Sequence, residues 1–257
     1  MSLRVAFCIP SDGPTVASLQ TSTVTRILQL EIGTATMEAL RNWLADQYPH
    51  LISLALAAGD DANKVCLKVV AQHSNDNTEE GEMISFAVWE LPDDDMAPKD
   101  SGGIKARPPP GINCAFQWMI CHELENMRNR VVHGRKCFLL NQVFTIPNHQ
   151  RRGAGSLLVT WPIEQADKKG LICYLDSEAD GEGIKLYGSL GFVKVDECHV
   201  DLTMCGLEGT YTHVAMVRQP KKLLLKDQET ESSNRRTDAL LRVLDRKKGP
   251  MLLAFRH

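Results

Sequence analysis

The chain has 257 residues, 43% hydrophobic and 24% charged, a globular composition with room for one elaborated core or two small ones. That balance excludes the disordered, collagen-like and disulfide-scaffold classes. The net charge of −3 argues against a dedicated nucleic-acid binder, yet it is unevenly spread: residues 221–257 hold ten Lys and Arg against five Asp and Glu, a charge of +5, which leaves −8 on residues 1–220.

Leu3–Ile9 alternates apolar residues and is rich in β-formers, and Ser11-Asp12-Gly13-Pro14 ends it with turn residues, so a first strand followed by a helix is expected. Met37, Leu40, Trp43, Leu44 and Tyr48 fall at helical spacing and predict a second helix that Pro49 stops. Lys64–Gln72 and Glu82–Leu91 are strand-like runs joined by a polar loop. Residues 92–111 carry Asp93-Asp94-Asp95, Gly102-Gly103 and Pro108-Pro109-Pro110, and read as a flexible surface insertion rather than a domain boundary. A long helix is then traced by Ala115, Phe116, Met119, Ile120, Leu124, Met127 and Val131 on one face, with His122, Glu125 and Asn129 opposite.

The second half predicts a strand over Cys137–Ile146, a turn over Pro147–Arg152 and a helical run over Gly153–Lys169 that contains Pro162. A short strand over Leu171–Leu175, a helix over Gly183–Leu190 and strands over Val193–Leu202 and Tyr211–Val217 follow. In the basic tail, Leu240, Leu241 and Leu244 are spaced for a short amphipathic helix.

Eight scattered cysteines with no Cys-x-x-Cys pair read as reduced thiols in an intracellular protein. Val5–Ile9 is too short for a signal-peptide core, and Leu51–Ala58 is far below the ~20 residues that span a bilayer. The expected location is the cytoplasm, with the nucleus open, and no membrane partner is expected.

Gln150-Arg151-Arg152-Gly153-Ala154-Gly155-Ser156 sits between a predicted strand and a predicted helix. Such a turn aims unpaired backbone N–H groups at one point, the helix dipole favours an anion there, and glycines let a phosphate approach the backbone. Arg151 and Arg152 add positive charge, so the stretch reads as a diphosphate site. A Walker loop would need Gly-Lys-Ser/Thr where Ser156-Leu157 follows, and a dinucleotide fingerprint would need Gly where Leu158 stands.

The pattern Gln/Arg-x-x-Gly-x-Gly/Ala resembles instead the coenzyme A pyrophosphate signature of the GNAT (Gcn5-related) N-acetyltransferase superfamily. Phe144-Thr145-Ile146-Pro147 looks like that family's fourth strand and turn, and Leu186-Tyr187-Gly188-Ser189-Leu190-Gly191-Phe192 like its LYxxxGF helix ending. In detail, Gln150–Asp176 and Glu208–His213 look most like fungal members. The resemblance covers roughly residues 3–220 and is strongest over 137–192. It implies an α+β, three-layer α/β/α fold whose mixed, mostly antiparallel sheet of six or seven strands is splayed between strands 4 and 5. One acetyltransferase domain would occupy residues 1–220, with a basic tail over 221–257.

The resemblance further implies that acetyl-CoA is the cofactor and that its pantetheine arm pairs with the backbone of Val143, Phe144 and Thr145. Its pyrophosphate would lie against Gln150, Arg151, Arg152, Gly153, Ala154, Gly155 and Ser156. Tyr187 stands where the family commonly places a tyrosine that hydrogen-bonds the leaving thiolate. A phenol giving its proton outright to a thiol-derived anion is uphill by roughly 2 kcal/mol on reference values, which favours a hydrogen-bonding role. The acceptor must present a neutral amine: for a lysine-like amine this costs about 4.6 kcal/mol at neutral pH, and for an α-amino group about 1 kcal/mol. A base would help, and Glu90, Asp176, Glu178, His122 and Glu123 stay open, because the fourth strand offers Asn141 and Gln142 where an acid is often found.

His122-Glu123-Leu124-Glu125-Asn126 lacks the second histidine of a zinc motif, so no metal is expected. No cysteine has an evident adjacent base, which favours direct transfer in a ternary complex over an acyl-cysteine route. A small amine is the expected acceptor, with a protein or peptide open, nucleic acid disfavoured, and both monomer and homodimer open. The alternative from another class is a non-catalytic module of the same fold that binds coenzyme A or a partner protein.

Overall fold

Strands present successive side chains to opposite faces, and here both faces are apolar: in the strand Ile172–Glu178, Ile172 and Tyr174 pack on one side, Cys173 and Leu175 on the other. Such a sheet needs a cover on each face. The computed structural model describes residues 2–23, 25–57, 63–72, 81–92 and 107–221. Seven strands, β1 (Ser2–Phe7), β2 (Lys64–Gln72), β3 (Glu82–Glu90), β4 (Cys137–Thr145), β5 (Ile172–Glu178), β6 (Val193–Asp201) and β7 (Thr210–Arg218), form one sheet in the order β1-β2-β3-β4-β5-β7-β6. All neighbours run antiparallel except β4 and β5.

One face is covered by α1 (Gly13–Ser22), α2 (Arg26–Ile32), α3 (Met37–Ala57) and α4 (Cys114–Val132). The other is covered by α5 (Ala154–Thr160), α6 (Ile163–Lys169) and α7 (Gly183–Ser189), whose Ala154, Leu158, Val159, Ala166 and Tyr187 join the main core. This is the expected three-layer α+β arrangement with a mixed sheet of seven strands. The tail over 221–257, apart from Lys221, and residues 93–106 of the expected insertion lie outside the described residues.

Several expected boundaries are corrected. Pro49 does not end a helix; α3 runs through it to Ala57. Its ring lies against Gly13, where an added Cβ would stand 2.5 Å from Pro49 Cγ, so the neighbouring helix accommodates the proline by having no side chain there. The first helical segment is two helices, because Thr25 starts a second by accepting from the Leu28 N–H, 3.3 Å away. Pro162 divides the predicted run over Gly153–Lys169 into α5 and α6. A proline there cannot donate to the Leu158 carbonyl one turn back; that carbonyl accepts instead from Trp89 Nε1 on β3, at 3.0 Å.

β5 continues past Leu175 to Glu178, paired with β7 alone. The polar residues Asp176-Ser177-Glu178 are thus strand residues rather than a loop after it. On β4, Val88 faces Gln142 while Trp89 faces Leu140, which leaves Asn141 as the extra residue of a bulge. Asn141 Nδ2 donates to Glu90 Oε1 at 2.8 Å, and the Tyr48 hydroxyl, whose proton is shared between Gln20 Oε1 at 2.5 Å and Gln142 Oε1 at 3.3 Å, touches the bulge from the other side.

All eight cysteines are free thiols. Among the described residues no helix is long and apolar enough to cross a membrane. The end of β7 is tied to α6 by Arg218, 4% exposed, whose Nη1 and Nη2 donate to Asp167 Oδ1 and Oδ2 at 2.8 and 2.9 Å. Those bonds hold the Asp167 carboxyl below its ordinary range. Removing one member strands the other's charge, so Asp167→Ala is expected to lower unfolding free energy in urea by about 3 kcal/mol.

Candidate active site

β4 pairs with β5 only from Cys137↔Ile172 to Leu140↔Leu175; beyond that its other edge, against β3, continues to Thr145. The Ile146 N–H donates to the Ile84 carbonyl at 3.0 Å, so by the two-residue period the backbone of Phe144 also faces β3, and that of Val143 and Thr145 faces the gap. Ser85 Oγ donates to the Phe144 carbonyl at 2.8 Å, and the Phe144 ring packs 5.3 Å from that of Phe86. The expected edge of Val143, Phe144 and Thr145 is therefore narrowed to Val143 and Thr145, with Phe144 half-buried and packed against the core. The Thr145 carbonyl accepts from Gln150 Nε2 at 3.1 Å and from Thr23 Oγ1 at 3.3 Å. Gln150 thus holds the strand edge with its side chain instead of reaching into the turn.

The turn itself has the conformation that an anion needs. Arg151 (φ 59°) and Gly153 (φ 91°) are both left-handed. The Leu157 N–H makes the first bond of α5, to the Gly153 carbonyl at 3.0 Å, which leaves the N–H groups of Ala154, Gly155 and Ser156 without a partner inside the helix. A Cβ added at Gly153 would meet nothing within 4 Å, so this glycine supplies conformation and open approach. Gly155 serves packing instead, since a Cβ there would stand 3.3 Å from Leu186 Cδ2 and 3.7 Å from Thr145 Oγ1, and its absence lets α5 lie against α7 and β4. Ala154 is buried in the core, Ser156 is half-buried, and Arg151 and Arg152 are exposed, with Arg151 Nη2 3.2 Å from Glu182 Oε2 at the start of α7.

Tyr187 is buried on α7, with its ring edge and hydroxyl against Gly183 and 6.2 Å from the ring of Phe192. Burial, reinforced by the charge of Asp176, pushes the phenol above its ordinary range. It stays protonated at neutral pH and is a hydrogen-bond donor rather than a ready acid.

The candidate bases separate clearly. Glu90 is occupied by Asn141 and by Lys64 Nζ at 3.4 Å. Glu178 Oε1 accepts from the Ile27 N–H at 2.8 Å and so anchors the start of α2. The His122 ring is stacked on Trp118 on the outer side of α4, 5.4 Å between centroids, and both residues are exposed. Glu123 is half-buried on α4 and its charge acts on Cys198 of β6. Asp176 alone lies at the point where β4 and β5 part, and desolvation raises its carboxyl to about 6, with Arg128 opposing. Beside it, His213 on β7 is buried, with Nε2 3.5 Å from Asp176 Oδ1; desolvation lowers His213 to about 4, so the ring is neutral.

Sequence reasoning missed His213 and Gly183. The alternation of Tyr211, His213 and Ala215 was a usable signal for the first, since it places the histidine on one sheet face with two buried residues. Gly183 gave none, because its role depends on a side chain one helical turn away.

Residues 114–192 match the model of the acetyltransferase (GNAT) family. The matched segment runs from the start of α4 to Phe192 and contains the Arg151–Ser156 turn, Asp176 and Tyr187. No curated protein sequence matches the chain. Among solved structures, a histone acetyltransferase and related acetyltransferase from Corynebacterium glutamicum is 19% identical, with a TM-score of 0.49 over 88% of this chain and 100% of its own. The PaiA N-acetyltransferase of Thermoplasma acidophilum, in complex with coenzyme A, is 15% identical at 0.47, over 85% and 99%. An acetyltransferase of Salmonella typhimurium with its cofactor acetyl-CoA is 14% identical at 0.45, over 89% and 100%.

The two glycines of this stretch are separable by experiment. Gly153→Val forces a β-branched residue into left-handed backbone, a strain of about 1–3 kcal/mol, and is expected to weaken acetyl-CoA binding at least tenfold by calorimetry. Gly155→Leu must push α5 from α7 and is expected to lower the melting temperature as well as the affinity.

Proposed function

We propose that the protein moves the acetyl group directly from acetyl-CoA to a primary amine, both bound at once, with a small amine as acceptor. The single observation that carries this reading is the parted edge of β4: the backbone of Val143 and Thr145 faces a gap that runs from the Arg151–Ser156 turn towards Asp176 and the Tyr187 face of the sheet. An arm added there as a further strand would pair with Val143 and with the Thr145 N–H, and its diphosphate would meet the N–H groups of Ala154, Gly155 and Ser156 beside Arg151 and Arg152.

Direct transfer is supported by the state of the thiols. Burial pushes Cys66 and Cys173 to about 12 and Cys137 and Cys198 to about 11, and Cys8 higher still, so none of these five offers a thiolate for an acyl-enzyme route at neutral pH. In the direct route the amine nitrogen bonds to the acetyl carbon as the carbon–sulfur bond breaks, and Tyr187 donates a hydrogen bond to the departing sulfur. The acidic body, −8 over residues 1–220, favours approach of a cationic acceptor. The likeness of Gln150–Asp176 and Glu208–His213 to fungal members rests on those residues alone, and a cytoplasmic location with no nucleic-acid partner rests on composition.

Thiol release from acetyl-CoA across small amines, polyamines, amino acids and peptides tests the reading, with greatest turnover expected on a small primary amine. A charge-assisted hydrogen bond is worth about 1.5–3 kcal/mol, so Tyr187→Phe is expected to lower kcat roughly 10- to 100-fold with acetyl-CoA affinity unchanged. Full turnover in that variant removes Tyr187 from the chemistry.

A further inference from the structure

The closed end of the β4–β5 gap fixes where a thioester laid along β4 must stop. Leu140 and Leu175 are the last paired residues, so Asn141 and Asp176 are the first on either side of the opening. Strand alternation puts Leu175 on the face of α5 and α7 and Asp176 on the face of α4, beside Tyr174. Tyr187 approaches from the α7 face, and the Asp176 charge is felt at its phenol, so the two groups meet the opening from opposite sides.

The surroundings of Asp176 contain polar groups that the fold leaves unused. Among the described residues no hydrogen bond occupies the Asp176 carboxylate, and its nearest ionisable neighbour, His213 Nε2, stands 3.5 Å away. His213 is 5% exposed, and its Nδ1 has no partner. The hydroxyl of Tyr174, buried on the same sheet face, has no partner either, while that of Tyr211 lies against the Glu178 carboxylate. Buried polar atoms are almost always satisfied in a finished core, so His213 and Tyr174 beside the open Asp176 carboxylate mark a place built to receive a hydrogen-bonding ligand.

We infer that the acceptor amine enters the gap from the α4 face and gives its proton to Asp176, with His213 as the positioning residue for that carboxylate. The inference rests on the acetyl-transfer reading. One proton leaves the ammonium nitrogen for an Asp176 oxygen. The freed lone pair forms the carbon–nitrogen bond to the acetyl carbon while the carbon–sulfur bond breaks, and the remaining excess proton on nitrogen passes to the departing thiolate. Asp176 then returns its proton to solvent.

The charged and titratable groups facing Asp176 are Arg128 and Cys121 on α4, Tyr174 on β5, Cys198 on β6, His213 on β7 and Tyr187 on α7. His213 titrates near 4, and burial raises the thiols and phenols, so none of these changes state between pH 5 and 7.5. Asp176, near 6, does; so does Glu31 on α2, raised by burial to about 7. Variants distinguish these two carboxyls.

Two coenzyme A derivatives of nearly equal size test the inference without turnover: one with an S-(2-aminoethyl) tail, whose ammonium stays charged throughout this range, and one with an S-propyl tail. At pH 7.5 calorimetry is expected to show the aminoethyl form bound at least tenfold more tightly, with that preference lost in Asp176→Asn, kept in Glu31→Gln, and the propyl form bound within threefold of its original affinity in both. In the unaltered protein the preference is expected to shrink about tenfold from pH 7.5 to 5, as the carboxylate protonates. Equal binding of the two tails, a preference that survives Asp176→Asn, or one that is flat with pH overturns the inference and leaves the acetyltransferase reading standing. Should Asp176→Asn not fold, the same pH series run on Glu31→Gln decides, because the second buried carboxyl that titrates in this range is then removed. Failure of acetyl-CoA and both derivatives to bind removes the acetyl-transfer reading and this inference with it.

Discussion

The parallel pairing of β4 with β5 stops at Leu140↔Leu175, and the arrangement of the site follows from that stop. A strand with one edge paired and the other bare is ordinarily a liability, because its free N–H and C=O groups recruit any passing strand. Here the bare edge is interior to the sheet, flanked by β5 and covered by helices, so only a slender chain with its own amide groups can use it. The bulge at Asn141 is what releases the strand. Its amide is held by Glu90 and its neighbour Gln142 by Tyr48, so the opening is supported by β3 on one side and α3 on the other.

An opening through a sheet gives access from two faces, and the chain furnishes those faces differently. The α5–α7 side supplies the Arg151–Ser156 turn and the Tyr187 phenol. The α4 side supplies Asp176, His213 and the buried hydroxyls of Tyr174 and Tyr211. The segment that matches the family, residues 114–192, includes the first set and Asp176 but stops short of His213 and Tyr211. The α4 face thus combines matched residues, Tyr174 and Asp176, with β7 residues that lie outside the matched segment.

Much of this was legible in the sequence because the patterns involved are local. The strand-like run Cys137–Ile146, the glycines at 153 and 155 and the helix ending at Gly191-Phe192 each announce a neighbourhood of a few residues. What was misread depends on contacts across the fold. Pro49 looked like a stop because nothing local shows that Gly13 makes room for its ring. Asp176 and Glu178 looked like loop residues because β5 is paired on one edge only over that stretch, and a half-paired strand can carry polar side chains. Phe144 was grouped with its neighbours because a run of three backbone groups is easier to see than the alternation that turns the middle one away. The base could not be chosen among five candidates, since the deciding facts, Glu90 held by Asn141 and Lys64 and Glu178 held by Ile27, are all long-range.

The bond from Trp89 Nε1 to the Leu158 carbonyl binds two distant positions into one unit of substitution. With proline at 162, the carbonyl needs a donor from elsewhere, and the indole supplies it. If residue 162 regained an N–H, the helix could close on itself and the indole would lose its acceptor in a dry core; if Trp89 were lost first, the carbonyl would be stranded instead. Neither change is neutral alone. Chains of this architecture that carry an amide donor at the position of Pro162 are thus expected to carry an aromatic residue without a polar edge, or an aliphatic one, at the position of Trp89, so the two columns should vary together although 73 residues separate them.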